Sequence, residues 1–317
     1  MLLKSEMRWK TDGPRTIGQP FPYQGSKRAL VGQILSLFPD EAVPRLVEPF
    51  AGSAAISVAA RHYGMARDVA ISDVNEPLMA LWQMIIDEPS KLLSVYSKMW
   101  VQQQVDPRAY FFAVRTEFNE NHQPELLLYL LARCVKAAVR YSKNGDFNQS
   151  ADNRRLGAKP ANMSERITQA SKLMQGAEVS SLGYENPLIS AGQDDLVYMD
   201  PPYQGTTDVP DHRYLTGLQR ANFVAALQAA INNDVSFIIS YDVVRDDNKY
   251  GIALPAELGL THRNVLVGVS SQATLLGKSE MTVESLYMSP ALVQRLGGPD
   301  VIDARIGLER TDQVSLF

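Results

Sequence analysis

Leu46-Val47-Glu48-Pro49-Phe50-Ala51-Gly52-Ser53-Ala54 opens as a short apolar strand and breaks into a proline, a glycine and small residues. Residues 54–63 continue with small and apolar side chains at helical spacing, and Gly64 stops them. Val69-Ala70-Ile71-Ser72-Asp73 is a second strand, ending in an acid, and 78–86 is the next helix. Strand, helix, strand, helix is the pattern of a parallel sheet. Upstream, Ser26 is placed to cap a helix carrying Leu30, Val31, Ile34, Leu35 and Phe38, which Pro39 ends. The alternation returns with strands over 177–182 and 196–199, a helix over 218–231 and a buried strand over 235–240. Residues 264–269 and 283–288 are strands with no helix between them, which predicts an antiparallel pair. The expected fold class is α/β, with a mostly parallel sheet and an antiparallel strand near the C-terminus.

Between these halves the character changes. Residues 89–139 carry helical patterns with Pro89, Pro107 and Pro124 in first-turn positions. A polar stretch over 141–155 has no period, and Ser164 starts a short helix that Gly176 ends. Residues 87–176 therefore read as a helical insertion, and the last 27 residues as less regular. Across 317 residues, 45% hydrophobic and 21% charged side chains allow a sizeable core and exclude a disordered or fibrous chain. The longest apolar runs, such as 126–132, are far short of a membrane span, and residues 1–9 have no apolar signal core. A lone cysteine, Cys134, and four histidines leave little for a disulfide or a zinc cage. The expectation is a soluble, intracellular, metal-free protein. Net charge is −4, which excludes a uniformly basic coat for nucleic acid, yet residues 133–172 carry nine basic and three acidic side chains. A polyanion would sit there.

Three sites fall at the ends of predicted strands, where open parallel sheets bind ligands. The glycine turn lets backbone approach a ligand closely, although a tight strand-to-helix turn asks for glycine in any α/β protein. It lacks the glycine spacing of the dinucleotide fingerprint, which argues against a pyrophosphate cofactor. Asp73 can accept two hydrogen bonds from a ribose diol, or cap the helix that follows. In Asp200-Pro201-Pro202-Tyr203 two prolines fix φ and end strand pairing, leaving rigid carbonyl acceptors beside a carboxylate and a phenol ring. That set suits an amino group on a flat heteroaromatic ring, with N–H bonds to Asp200 and the Pro201 carbonyl and the ring on Tyr203. The plain alternative is a Pro-Pro turn that an aspartate initiates.

In their order along the chain these segments resemble the Dam-type, or α-group, adenine-specific DNA methyltransferases, which use S-adenosylmethionine. The resemblance runs from Pro22 to about Pro290. Tyr23-Gln24-Gly25-Ser26-Lys27 matches the N-terminal cofactor motif, residues 48–53 the glycine turn, Asp73-Val74-Asn75 the ribose acid and residues 200–203 the catalytic tetrapeptide. Tyr141-Ser142-Lys143-Asn144-Gly145-Asp146-Phe147-Asn148 resembles part of the target-recognition segment. Two departures stand out. Ala54 replaces the usual second glycine of the turn, and Val135-Lys136-Ala137-Ala138-Val139-Arg140 lacks the family's aromatic and asparagine run. The family's best-known target sequence is therefore not carried over.

The resemblance implies a Rossmann-like methyltransferase sheet with a helical target-recognition insertion. Residues 1–86 and 177–290 would form the catalytic domain, 87–176 the recognition domain and 291–317 a tail. The implied reaction moves a methyl group from S-adenosylmethionine, without a metal, to the 6-amino group of an adenine flipped out of duplex DNA. Asp200, Pro201, Pro202 and Tyr203 would be catalytic. Tyr23, Lys27, Glu48, Phe50, Gly52, Asp73 and Asp200 would bind the cofactor, with Lys27 near its carboxylate. Arg140, Lys143, Asn148, Arg154, Arg155 and Lys159 would contact DNA. Plain alternatives are a solvated lysine at 27, a core aromatic at 50 and a solvated basic loop for the last set. The implied partners are double-stranded DNA and, in restriction–modification, a cognate endonuclease, with no membrane. The chain would act as a monomer or weak homodimer in the cytoplasm of a prokaryotic or phage-infected cell. Competing readings are a cytosine 4-amino DNA, RNA adenine or protein glutamine methyltransferase, and an inactive nucleotide- or DNA-binding module. An aspartate heading the tetrapeptide and the mid-chain insert favour adenine in duplex DNA.

Overall fold

The computed structural model describes residues 18–202, 219–245, 248–250, 253–269 and 281–307. Its strands are β1 (Val43–Pro49), β2 (Ala66–Ser72), β3 (Glu178–Ser180), β4 (Leu196–Met199), β5 (Phe237–Arg245), β6 (Asn248–Tyr250), β7 (Thr261–Val269) and β8 (Met281–Met288). They form one sheet in the order β3-β2-β1-β4-β5-β8-β7, with β6 beside β5. β1 to β5 pair in parallel along this order, as in Val47↔Ala70, Leu46↔Leu196 and Val197↔Phe237. β8 is antiparallel to both β5 and β7. The architecture is the expected Rossmann-like methyltransferase sheet, antiparallel near the C-terminus.

Central strands read as unbroken apolar runs because both faces are covered. Leu46, Tyr198 and Ile238 enter one hydrophobic layer, and Val47, Val197, Met199, Phe237 and Ile239 enter the other. The first layer holds α1 (Val31–Ser36), α2 (Ala55–His62), α3 (Glu76–Asp87), α4 (Pro89–Gln102), α5 (Pro107–Asn121), α6 (Pro124–Arg133) and α7 (Pro160–Leu173). The second holds α8 (Glu185–Ile189) and α9 (Arg220–Asn232). The inserted helices share the layer of α1 to α3, as Leu92, Phe111, Leu128 and Ile167 show, and enclose no core of their own.

Prolines start α4, α5 and α6 as expected, and Asp106 caps α5 by accepting the Arg108 and Ala109 N–H groups at 3.1 and 3.0 Å. Several expectations need correction. Ser26 makes no side-chain cap: residues Lys27–Leu30 form a 3-10 turn, and α1 begins only at Val31. α7 starts at Pro160 rather than Ser164, because proline fits a first turn whose N–H groups have no helical partner. The strand expected over 177–182 is confined to Glu178–Ser180.

The end of the chain is also more regular than its sequence implies. α10 (Pro290–Leu296) and α11 (Pro299–Ile306) bury Leu292, Leu296 and Ile302 in the first layer. The Arg305 guanidinium donates to the Phe38 carbonyl at 2.9 Å, just past α1. No helix among the described residues is long and apolar enough to cross a membrane.

Ser289 fastens α10 to the sheet. Its buried hydroxyl accepts the Leu292 and Phe237 N–H groups at 3.3 and 3.0 Å and donates to the Val235 carbonyl at 2.9 Å. Ser289→Ala removes a helix cap and strands two buried backbone groups, so urea unfolding should show a loss of about 2–3 kcal/mol.

Candidate active site

Adjacent strands β1, β2 and β4 bring residues 48–55, 73–75 and 200–202 to one cavity of about 510 Å3, walled on another side by residues 23–27. The turn after β1 is wound tightly, with φ of +62°, +50° and +46° at Phe50, Gly52 and Ala54. Gly52 is required there twice over. Its φ is left-handed, and a Cβ would lie 2.9 Å from the Tyr23 ring. Ala54 adopts the left-handed conformation despite its methyl group, a strain of roughly 1–2 kcal/mol that its complete burial holds in place. Two bonds lock the turn. The Gly52 N–H donates to Asp73 Oδ2 at 3.1 Å, and the buried Trp82 indole donates to the Gly52 carbonyl at 3.0 Å.

Asp73 Oδ1 accepts the Asn75 N–H at 3.0 Å, and burial raises its pKa against the pull of these backbone donors. It does not cap α3. Asn75 does, accepting the Leu78 N–H at 3.3 Å, so the capping alternative for Asp73 falls. Glu48 is buried at the start of α2, where its Oε2 accepts the Ser57 N–H at 2.7 Å. Burial pushes its carboxyl up to about 7, with the Ser57 and Ile56 donors opposing. Phe50 stacks on Tyr184 with ring centres 5.2 Å apart and also meets Phe223 edge-on, so it is a half-buried aromatic that packs on the core and lines the cavity.

Lys27 Nζ lies 2.7 Å from Asp200 Oδ1 and 3.3 Å from Glu284 Oε1. Burial works against the ammonium, but the Asp200 and Glu284 carboxylates outweigh it and its pKa rises. Burial likewise pushes Asp200 up to about 6, with Lys27 pulling it down and Glu284 raising it. Lys27 thus faces two carboxylates of the protein itself, where the resemblance had set it near one belonging to the cofactor. Pro201 is buried and Pro202 half-buried at the cavity, while Tyr203 lies outside the described residues.

The stretch from 141 to 155 is ordered, although its sequence has no period. Tyr141 and Phe147 bridge across a hairpin whose tip is closed by the Ser142 hydroxyl, which accepts the Asn144 and Asp146 N–H groups. Asn119 of α5 clamps both backbone groups of Phe147, at 2.8 and 3.2 Å. Tyr141 lines the cavity and donates to Asn75 Oδ1 at 3.1 Å. Arg133, counted above among the basic residues, is buried, and its guanidinium holds the Asp152 carbonyl at 3.0 Å and the Arg155 carbonyl.

Arg140, Lys143, Asn148, Arg154, Arg155 and Lys159 are all exposed on this segment. Arg154 and Arg155 both pair with Asp152, at 3.1 Å each, and the Arg154 bonds hold its carboxyl down at about 2. Among the described residues no cluster of three or more His, Cys, Asp or Glu side chains could hold a metal ion. The sequence reading missed Tyr184, which has no local signal, and Glu284. The clue to Glu284 was a lone acid inside an otherwise uncharged strand, Met281–Met288.

The family model described as D12 class N6 adenine-specific DNA methyltransferase matches residues 23–267, the span that carries every element of the cavity up to α9. The chain belongs to this family. Relatives of this D12-class chain include the retron Ec67 DNA adenine methylase of Escherichia coli, 27% identical over 190 residues. That match covers 58% of this chain and 63% of the relative. The DNA N-6-adenine-methyltransferase of Escherichia phage P1 is 25% identical over 190 residues, covering 58% and 24%. The type II methyltransferase M.MjaIII of Methanocaldococcus jannaschii is 23% identical over 203 residues, covering 59% and 69%. The matched region is thus less than two thirds of the first two relatives.

The elevated carboxyl of Glu48 has a consequence for stability. Its folded pKa of about 7 stands above the 4.5 of a free side chain, so the folded state holds the proton more tightly. The cost of ionising it appears as pH rises from 4.5 to 7 and is full above that. Glu48→Gln keeps an acceptor for Ser57 without the charge. Its stability relative to the unsubstituted protein should improve by about 3 kcal/mol between pH 4 and pH 8. Denaturant curves at both pH values check this, and a constant difference contradicts it.

Proposed function

We propose that the chain transfers a methyl group from S-adenosylmethionine to the 6-amino group of an adenine turned out of duplex DNA. One observation carries the reading: Lys27, Asp73 and Asp200, far apart in sequence, meet at one cavity. The family description and the names of its relatives support adenine in DNA as the acceptor. The cavity has a volume usual for a small-molecule site. Each Asp73 oxygen accepts one backbone N–H and retains a lone pair for a ribose hydroxyl. Glu48, Asp73, Glu185 and Asp200 against the one lysine, Lys27, give the wall an acidic character that fits a cationic donor. When bound, that donor supplies a methyl group on a sulfonium.

Lys27 fixes one oxygen of Asp200, and the other accepts an N–H of the adenine amino group. The Pro201 carbonyl accepts the second, held by the stiffness of the two prolines. With both hydrogens engaged, the nitrogen lone pair is drawn out of conjugation with the ring and points at the methyl carbon. Positioning and electrostatics supply the acceleration. Turning the base out costs a few kcal/mol, which stacking on Tyr203 offsets in part. The exposed basic residues of 140–159 hold the DNA backbone and read base edges. The setting is the cytoplasm of a prokaryotic or phage-infected cell, with a cognate endonuclease as partner in restriction–modification.

Asp200→Ala should lower methyl transfer by at least about 10³-fold while the chain still binds DNA. Radiolabelled methyl incorporation and calorimetry test it, and retained turnover defeats the assignment. Arg140→Ala and Lys143→Ala should each reduce the slope of log affinity for DNA against log salt by about one. Lys98→Ala, exposed on α4, should leave it unchanged. Equal slopes in all three variants contradict the DNA contact.

A further inference from the structure

We propose that Asp152 is a positioning residue for DNA binding. Its carboxylate holds the Arg154 and Arg155 guanidiniums side by side, with their outer edges turned to the phosphate backbone. The proposal deepens the function given above and rests on it.

The loop that carries these residues is firmly seated. Three buried side chains, Tyr96 of α4, Gln103 just after that helix and Arg133 of α6, hold its carbonyls. Arg133 donates to Asp152 at 3.0 Å and to Arg155, Gln103 to Leu156 at 2.9 Å, and Tyr96 to Ala158 at 2.6 Å. The Asp152 N–H returns a bond to the Arg133 carbonyl at 2.8 Å. Backbone held in this way gives its side chains a fixed origin.

The Asp152 side chain is 6% exposed, whereas those of Arg154 and Arg155 are 70% and 73% exposed. Oδ1 accepts the Arg154 N–H at 3.0 Å and its Nε at 3.1 Å, and Oδ2 accepts its Nη2 at 3.3 Å. Oδ2 also accepts Nε and Nη2 of Arg155 at 3.2 and 3.1 Å. Both arginines therefore meet the acid with the same edge, Nε and Nη2. The remaining edge, Nη1 and the second Nη2 hydrogen, is the fork that grips a phosphate bidentately. An exposed arginine otherwise samples many rotamers, and fixing two of them in advance lowers the ordering cost of binding. The Arg154 bonds hold the Asp152 carboxyl at about 2, so the clamp stays ionised near neutral pH.

Charge alone predicts the opposite outcome for a variant. An acid facing DNA repels phosphates, so neutralising it should tighten binding. Positioning predicts a loss. Asp152→Asn keeps an acceptor for the Arg154 N–H and leaves the backbone bonds of the loop in place. Its Kd for a fluorescent DNA duplex, read by anisotropy without donor, should rise about fivefold or more. The KM for unmethylated genomic DNA should rise alike while kcat at saturating DNA is unchanged. Once Arg154→Ala and Arg155→Ala are both present, Asp152→Asn should weaken binding no further. Arg154→Lys with Arg155→Lys keeps the charge on exposed positions that do not endanger folding. A lysine cannot hold Asp152 and fork a phosphate at once, so this pair should lose affinity about as fully as the double alanine. An Asn variant that melts like the unsubstituted protein and binds DNA as tightly or more tightly overturns the proposal. So do a loss that persists in full in the double-alanine chain and a double-lysine chain with undiminished affinity. A chain that binds no DNA refutes the function given above as well, whereas those three results leave it standing.

Discussion

The site depends on one tight turn and the two side chains that hold it. Leaving β1, the backbone must pass through left-handed conformations at Phe50, Gly52 and Ala54, two of which carry a side chain. Such a turn is strained and needs over-determination. Asp73 supplies one grip through the Gly52 N–H and Trp82 the other through the Gly52 carbonyl. Because Asp73 ends β2 and Trp82 stands on α3, the turn is pinned by the elements that follow it in the chain. Asp73 is thereby a structural member, its carboxylate held by two backbone donors.

Around this turn the cavity gathers four carboxyl groups and one lysine. Glu48 relieves its burial by capping α2, Asp73 by backbone donors, and Asp200 by Lys27. Each acid has a different compensation, so each can hold a different protonation behaviour within one cavity. Lys27 comes from a segment that precedes the sheet, and it ties that segment to β4 and β8 at once. The parallel strands supply acids, and the antiparallel edge adds one more.

Much of this was legible in the residues. Short apolar runs such as Leu196-Val197-Tyr198-Met199 announced strands, and the acids and prolines after them marked the carboxyl ends. Short patterns failed where order comes from distant partners. Nothing local in 141–155 reveals the clamp by Asn119 or the buried Arg133 beneath the loop. Ser26 has the chemistry of a cap, yet its hydroxyl bonds Gln19 and Ser53 instead. Glu284 approaches Lys27 only through the pairing of β8, and strand order cannot be read from a single strand.

The hairpin has a consequence for how such a chain can diversify. Its tip, from Ser142 to Asp146, closes on its own hydroxyl and backbone bonds. Its root is what grips the body, through Tyr141 on Asn75, Asn119 on Phe147 and Arg115 on the Gln149 carbonyl. Lys143 and Asn144 therefore sit on an interchangeable cassette. Changes at the tip leave these root contacts in place, so its surface can vary while the cavity keeps its shape.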